Sequence, residues 1–141
     1  MRWSLAIVSV LAATAALAAD QPRQSGQQIL FTQSTVSGQP IMAPDKALQV
    51  TATLSEIGPG ESTVVHKHPY LRYDYVLEGR IAVTNFDTGK TDVVSAGQFV
   101  VDPINQWHQG RALDGKRVRI LIIDQTPPGK SNLILKDAAG K

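Results

Sequence analysis

The stretch GESTVVHKHPYLRYDYVLEG, residues 60–79, holds two of the three histidines in this chain, His66 and His68. The third, His108, ends a second stretch, GQFVVDPINQWH, residues 97–108. Side chains at positions i and i+2 of a β-strand point to the same face, so the imidazoles of His66 and His68 project to one side. A third imidazole from a distant strand completes a facial set of three neutral nitrogen donors, which suits Zn, Cu, Fe or Ni better than Ca or Mg. The pattern predicts a metal site; the alternative is three packed or solvated strand histidines.

The rest of the chain alternates apolar and polar residues in short runs, which is typical of β-strands. The clearest runs are 48–55, 81–86, 91–94 and 117–124. Weaker strands are predicted over 29–36 and over 131–135, the latter either an edge strand or an arm exchanged between two subunits. The tetrapeptide Asp87-Thr88-Gly89-Lys90 predicts a hairpin. No run sustains a helical period, so the sequence predicts an all-β barrel or sandwich.

The N-terminal residues predict export. Arg2 precedes an uncharged run rich in Ala, Leu and Val that closes with the A-x-A site Ala16-Leu17-Ala18. The run is too short and too small in its side chains for a membrane-spanning helix. We therefore expect a signal peptide over 1–18, a flexible leader over 19–28 and one domain over 29–137. The predicted location is the periplasm or the exterior, with no membrane association after cleavage.

Composition excludes several classes of function. Fourteen Lys and Arg residues against twelve Asp and Glu residues give a formal charge of +2, without a basic cluster, so nucleic-acid binding has no support. The chain has no cysteine, which excludes disulfides, thiolate ligands and a thiol nucleophile. It also lacks the G-x-S-x-G pattern of serine hydrolases and a glycine-rich phosphate loop.

The two histidine stretches resemble the paired motifs of the cupin superfamily. The first motif, G-x5-H-x-H-x3or4-E-x6-G, is matched by Gly60, His66, His68 and Gly79, with Arg72 in the glutamate position. The second, G-x5-P-x-G-x2-H-x3-N, is matched by Gly97, Pro103 and His108, with Asn105 in the glycine position and Ala112 in the asparagine position. The resemblance implies a single jelly-roll β-barrel. It also implies that His66, His68 and His108 bind one divalent transition metal: Fe, Mn, Cu, Zn or Ni.

Arg72 is the most informative departure, because a guanidinium cannot replace the anionic glutamate ligand. It is expected on the same strand face as Asp74, and three interpretations remain open. Arg72 binds an anionic group of a substrate beside the metal, or it pairs with Asp74, or Asp74 itself replaces the glutamate as ligand. Tyr70, in the loop before the strand, is expected to line the entrance.

The resemblance leaves the reaction open, because cupins include enzymes of several classes, sensors and storage proteins. The favoured hypothesis is an exported cupin that binds or acts on a small anionic molecule at a three-histidine metal site, with dioxygenase-type oxidoreductase chemistry. Arg72 is then a candidate catalytic residue, and Arg72, Asp74 and Tyr70 are candidate substrate contacts. The alternative is a non-catalytic periplasmic module that binds a metal or a small ligand. Many cupins pair through sheet edges, so a homodimer is also expected.

Overall fold

Nine β-strands make up the regular structure of residues 26–136, the part of the chain that the computed structural model describes. The strands are β1 (Gln49–Ile57), β2 (His66–Lys67), β3 (Arg72–Glu78), β4 (Arg80–Asn85), β5 (Thr91–Ser95), β6 (Phe99–Val101), β7 (His108–Ala112), β8 (Val118–Thr126) and β9 (Ile134–Leu135). The predicted signal peptide over 1–18 lies outside the described residues, as do parts of the predicted leader and the last domain residue. Between residues 26 and 136, no helix has the length and apolar character needed to cross a membrane.

The strands form two sheets, and the chain crosses from one to the other at almost every connection. One sheet has the order β1-β8-β3-β6 and the other the order β5-β4-β7-β2-β9. Neighbouring strands pair antiparallel throughout. Antiparallel strands that alternate between two packed sheets are the pattern of a jelly roll. The predicted all-β jelly-roll barrel is therefore confirmed.

The core lies between the two sheets and draws on both. Its buried members are Ile57, Val76, Ile81, Val94, Ala112, Val118 and Ile120. Val76, Val118 and Ile120 come from the first sheet, while Ile81 and Ala112 come from the second. Burial of apolar side chains contributes about 1.5–3 kcal/mol for each of the larger ones. Three of these core residues, Ile57, Ile81 and Ile120, also line the cavity next to His66 and His108.

Gly79 links the two sheets at the end of β3. Its φ of 79° lies in the left-handed region that favours glycine. A Cβ atom at this position would lie 2.3 Å from the carbonyl oxygen of Arg117, so a side chain has no room. The β3–β8 register also shifts between Val76 and Glu78, immediately before this turn. The left-handed backbone and the close approach of the Arg117 carbonyl both require glycine at position 79, without any role in binding.

Two strand predictions need correction. The stretch 29–36 is not a strand; it contributes an isolated bridge between Ser34 and Pro40 and one hydrogen bond from the N–H of Val36 to the carbonyl oxygen of Val101 in the edge strand β6, without a continuous ladder. In β1 the apolar face points outward, with Val50 and Leu54 62% and 65% exposed. Ser55, on the polar face, lines the interior instead. The stretch 131–135 does form an edge strand, since β9 pairs with β2 of the same chain.

Candidate metal centre

The three histidines converge at one point of the barrel. His66 in β2 lies directly opposite His108 in β7, and His68 follows on the same face as His66. The ring centroids are 4.5 Å apart for His66 and His108, 4.8 Å for His66 and His68, and 4.9 Å for His68 and His108. All three side chains are buried, and one potential ligand atom of each lies within 4.8 Å of the others. The sequence prediction that three distant imidazoles come together is therefore correct in geometry.

Each imidazole is oriented by its Nδ1 atom. The Nδ1 atoms of His66, His68 and His108 donate to the carbonyl oxygens of Val64, Asn132 and Gln106, at 2.7, 2.6 and 2.9 Å. A carbonyl oxygen can only accept, so Nδ1 carries the proton and Nε2 keeps its lone pair. The Nε2 atoms of His68 and His108 are buried without a hydrogen-bond partner. A metal-binding histidine characteristically donates its other ring N–H in this way, so the donor set fits a transition metal.

The electrostatic surroundings keep the imidazoles neutral. Burial is the largest effect and lowers the pKa of all three histidines, that of His68 to about 2. The charge of the Arg72 guanidinium lowers these pKa values further. Neutral imidazole is the form that binds a metal, so the site does not have to release protons from the histidines at neutral pH.

Arg72 is paired, but not with the residue that the sequence analysis considered. Its Nε and Nη2 atoms donate to Oδ1 and Oδ2 of Asp124, both at 2.8 Å, in a two-point ion pair. Arg72 and Asp124 lie opposite each other in the β3–β8 register. Burial lowers the pKa of Arg72, but the hydrogen bond and charge of Asp124 outweigh it and raise the pKa overall. Arg72 lines the cavity beside the histidines with two of its nitrogen atoms already engaged.

Asp102 is the site residue that sequence reasoning missed. It follows β6 directly, and its Oδ2 atom lies 3.5 Å from Nε2 of His68 and 3.9 Å from Nε2 of His108. Burial raises the pKa of Asp102 to about 6, an effect that the charge of Arg72 opposes. The available signal was an aspartate inside the second histidine motif, but an Asp-Pro pair is also a common strand end, and that simpler interpretation hid it.

Asp74 lines the same cavity beside Asp102 but is not grouped with the three histidines. Burial, and then the charge of Asp102, raise its pKa well above the ordinary value. Its Oδ1 atom is buried without a hydrogen-bond partner. Neither Asp74 nor Asp102 belongs to the cluster of the three histidine ligand atoms, but Oδ2 of Asp102 lies 3.5 Å from Nε2 of His68.

A cavity of about 220 Å³ opens beside the imidazoles. His66, His108, Arg72, Asp74 and Asp102 line its polar side. Its remaining wall is mainly aliphatic and includes Ile57, Val64, Ile81, Val83, Ile120, Ile122 and Leu133. The structure does not bring Tyr70 to this cavity, because the Tyr70 side chain lines a separate depression with Leu48 and Ile104.

Asn132 connects the histidines to the Arg72–Asp124 pair. Its carbonyl oxygen accepts the Nδ1 proton of His68, and its Nδ2 donates to Oδ1 of Asp124 at 2.6 Å. Its Oδ1 accepts the backbone N–H of Tyr70 at 2.9 Å. Nothing in the local sequence around Asn132 indicates this role, which depends on contacts about 60 residues away along the chain.

A model of the Cupin_2 family, described as a cupin domain, matches residues 53–124, just over half of the chain. The chain belongs to this cupin family. Among solved structures it is similar to the polyketide cyclase RemF from Streptomyces resistomycificus, at 26% identity over 70% of each chain with a TM-score of 0.54. It is also similar to an oxalate decarboxylase of Lactobacillus farciminis in complex with formate, at 26% identity and a TM-score of 0.54, over 61% of this chain and 26% of that one.

A cupin-2 domain from Rhodospirillum rubrum, 19% identical over 70% of this cupin and 64% of that chain, has a TM-score of 0.54 and supports the fold alone. No curated protein matches the chain. The resemblance predicted from the two histidine motifs is therefore confirmed at the level of family and fold. The reaction of this cupin has to be argued from its own site.

Proposed function

We propose that this cupin binds one divalent transition metal through His66, His68 and His108 and acts on a small molecule held in the adjoining cavity. One observation carries the proposal: buried Nε2 atoms without partners face a common point beside a cavity of about 220 Å³. Unpaired polar atoms are costly inside a protein, and a cation that accepts their lone pairs removes the cost. The candidate metals are Fe, Cu, Zn and Ni, which imidazole donors suit, together with Mn, which the family resemblance adds.

The favoured reaction is of the dioxygenase type, an oxidation of the bound molecule. A redox-active metal supplies the electron transfer that such chemistry needs, and a metal of any identity supplies Lewis acidity. The aliphatic walls at Ile57, Val83 and Ile122 exclude water and accommodate an apolar part of the molecule. The solved relatives named above carry out a cyclisation and a decarboxylation according to their names, so one fold supports different reactions and the class needs a direct test.

An anionic ligand was expected to bind to Arg72, but the structure suggests a different positive group for it. Arg72 already binds both oxygens of Asp124, and Asp74 and Asp102 lie on the same polar side of the cavity. An anionic oxygen of the ligand therefore finds its counter-charge at the metal position rather than at Arg72. This favours a small, mainly apolar molecule with a single oxygen donor over a highly charged one.

A non-catalytic metal or small-ligand binding module is the second candidate. The observation that favours it is the proximity of the Asp102 carboxylate to His68 and His108, since a fourth protein donor closes a tetrahedral site of the kind found in structural centres.

Export through a signal peptide over 1–18 and assembly as a homodimer complete the proposal. Mass measurement of the protein recovered from the periplasm and light scattering of the purified protein test these two points.

Elemental analysis of untagged protein, beside a His66→Ala control, tests the proposed function. Near-stoichiometric iron, copper or manganese that disappears in the control supports an oxidoreductase and directs screening toward oxygen-consuming reactions. Near-stoichiometric zinc that disappears in the control supports Lewis-acid catalysis or the binding module. Absence of metal from both proteins after reconstitution with each of the five ions would refute the metal site.

A further inference from the structure

We propose that Asp102 supplies a fourth, anionic metal donor and thereby takes the place of the glutamate that this cupin lacks at position 72. The inference rests on the metal site of the proposed function, since it requires that the three histidines bind a metal. A fourth donor closes a tetrahedral site, as in the binding module, but leaves positions for a substrate on an octahedral metal. Asp102 follows β6 and belongs to the second histidine motif, whereas position 72, where the family motif has glutamate, lies in β3 and belongs to the first.

Distances support a single set of four donors. Nitrogen and oxygen donors lie about 2.0–2.2 Å from a bound transition metal, so two donors of a tetrahedral set are about 3.3–3.6 Å apart. Oδ2 of Asp102 lies 3.5 Å from Nε2 of His68, within this range, and 3.9 Å from Nε2 of His108, slightly outside it. The histidine ligand atoms lie within 4.8 Å of one another, so binding of the metal would draw the donors closer together.

Strand pairing explains how a residue of β6 reaches the point expected for a residue of β3. The backbone N–H of Asp102 donates to the carbonyl oxygen of Arg72 at 3.0 Å, so the two residues are cross-strand neighbours. Directly paired residues of an antiparallel sheet project to the same face. A carboxylate at position 102 therefore lies beside the place where a glutamate at position 72 would project.

Asp124, on the other side of Arg72, binds the guanidinium and so leaves the glutamate position to Asp102. Asp124 lies opposite Arg72 on β8 and binds its guanidinium at two points, each 2.8 Å long. Arg72 thus stands between two aspartates on neighbouring strands, and its side chain is engaged with the one further from the histidines. This pairing keeps the positive charge of Arg72 from occupying the anionic position that Asp102 fills.

An ion pair between Asp102 and a protonated histidine is the competing interpretation. The hydrogen bonds argue against it, because the Nδ1 protons of His68 and His108 are donated to backbone carbonyls and neither Nε2 atom is hydrogen-bonded. The carboxylate of Asp102 consequently faces two lone pairs, an arrangement that is repulsive without a positive charge between them. A cation at this point is attracted by every one of these groups.

Titration of the metal-free protein with Co²⁺, followed by calorimetry and by visible absorption, tests the inference. Asp102→Asn keeps the shape of the side chain and removes a buried charge, so the variant is expected to fold; Asp102→Ala removes the donor entirely. Asp92→Asn is the control, because it neutralises an exposed carboxylate on β5 that does not line the cavity. Replacing even an outer-shell partner of a metal ligand costs about 10–100-fold in affinity.

We expect both Asp102 variants to bind Co²⁺ at least about 10-fold more weakly than the wild type and to change its absorption spectrum, since a direct donor is lost. Asp92→Asn should bind within about threefold of the wild type and keep the spectrum. Unchanged affinity and spectrum in both Asp102 variants would overturn the inference and leave the three-histidine site intact. Failure of the wild type to bind Co²⁺, Zn²⁺ or Fe²⁺ would overturn the proposed function and the inference with it.

Discussion

The guanidinium of Arg72 and the carboxylate of Asp124 face each other across neighbouring strands and share two hydrogen bonds of 2.8 Å each. Both side chains are mostly buried, so the pair is shielded from solvent and from salt. Asn132 extends the contact by donating to Oδ1 of Asp124 while its carbonyl orients His68. Arg72, which occupies the place of a metal ligand in the family motif, therefore helps to position His68 through Asp124 and Asn132.

The first prediction concerns the strength of this pair. Arg72→Met should lower the free energy of unfolding by about 3 kcal/mol, because it leaves the buried carboxylate of Asp124 without its partner. Asp124→Asn should cost less, and the double variant should cost less than the sum of the two. Urea denaturation of the four proteins measures the coupling energy. Additive effects within about 0.5 kcal/mol would show that the pair contributes nothing of its own.

Metal removal should lower stability. A metal that binds only the folded state at a hundred times its dissociation constant adds about 2.7 kcal/mol, so chelation of the loaded protein should lower its melting temperature by several degrees. His68→Ala should melt at the same temperature with and without added Zn²⁺ or Co²⁺. Differential scanning calorimetry with and without a chelator provides the comparison. An equal metal-induced rise in wild type and variant would place the bound ion elsewhere.

Stability should also depend on pH through Asp74. Burial and the charge of Asp102 raise the pKa of Asp74 in the folded state, so the folded protein holds a proton that the unfolded chain releases near pH 4. The contribution of this carboxyl to stability is present at low pH and is lost as the pH rises. Metal-free Asp74→Asn should therefore equal the wild type near pH 3 and exceed it by about 1–3 kcal/mol at pH 8, the usual cost of an unsatisfied buried polar group.

Denaturation curves of the metal-free Asp74→Asn and wild-type proteins at several pH values measure this difference. An advantage of Asp74→Asn that stays constant from pH 3 to pH 8 would mean that the effect does not come from ionisation of the carboxyl group. A wild type that is more stable than the variant at pH 8 would contradict the burial argument directly.

The turn at Gly79 should be far less tolerant than a turn of similar backbone shape. Gly79 and Gly89 have φ angles of 79° and 71°, so alanine is strained at both, by about 1–2 kcal/mol. Only at Gly79 does the new Cβ meet a backbone atom, the Arg117 carbonyl oxygen; at Gly89 it meets open space. Thermal denaturation should show Gly79→Ala to be the more destabilised variant by at least about 1 kcal/mol. Equal destabilisation of the two variants would show that the close approach of the Arg117 carbonyl adds nothing to the backbone strain that both positions share.

The sequence predicted the histidine cluster well because its signal is local. The i, i+2 spacing of His66 and His68 places two rings on one face of any β-strand, and the second motif supplies His108. The sequence could not predict the partner of Arg72, because Asp124 is 52 residues away and meets Arg72 only through the register of β3 with β8. Asp102 was missed for a related reason, since its neighbour on β3 is known only once β6 is paired.

Alternation predicted strands but not which of their faces points inward. In β1 the alternating pattern marks two faces correctly, yet the apolar face with Val50 and Leu54 is the exposed one. Period-two patterning assigns residues to faces, and only the partner strand and sheet decide which face meets the core. The stretch 29–36 has the composition of a strand but makes only one hydrogen bond to the edge strand β6, through Val36, so local propensity alone misled the prediction.

The histidines are spread between residues 66 and 108, but the carbonyl that orients His68 belongs to residue 132. During synthesis on the ribosome, most of the barrel emerges before this residue does, and His68 lacks its anchor until then. The proposed metal site is accordingly complete only at a late stage of folding. An ion bound at the proposed site would then reflect the supply in the compartment where folding finishes, as well as the intrinsic preference of the donors.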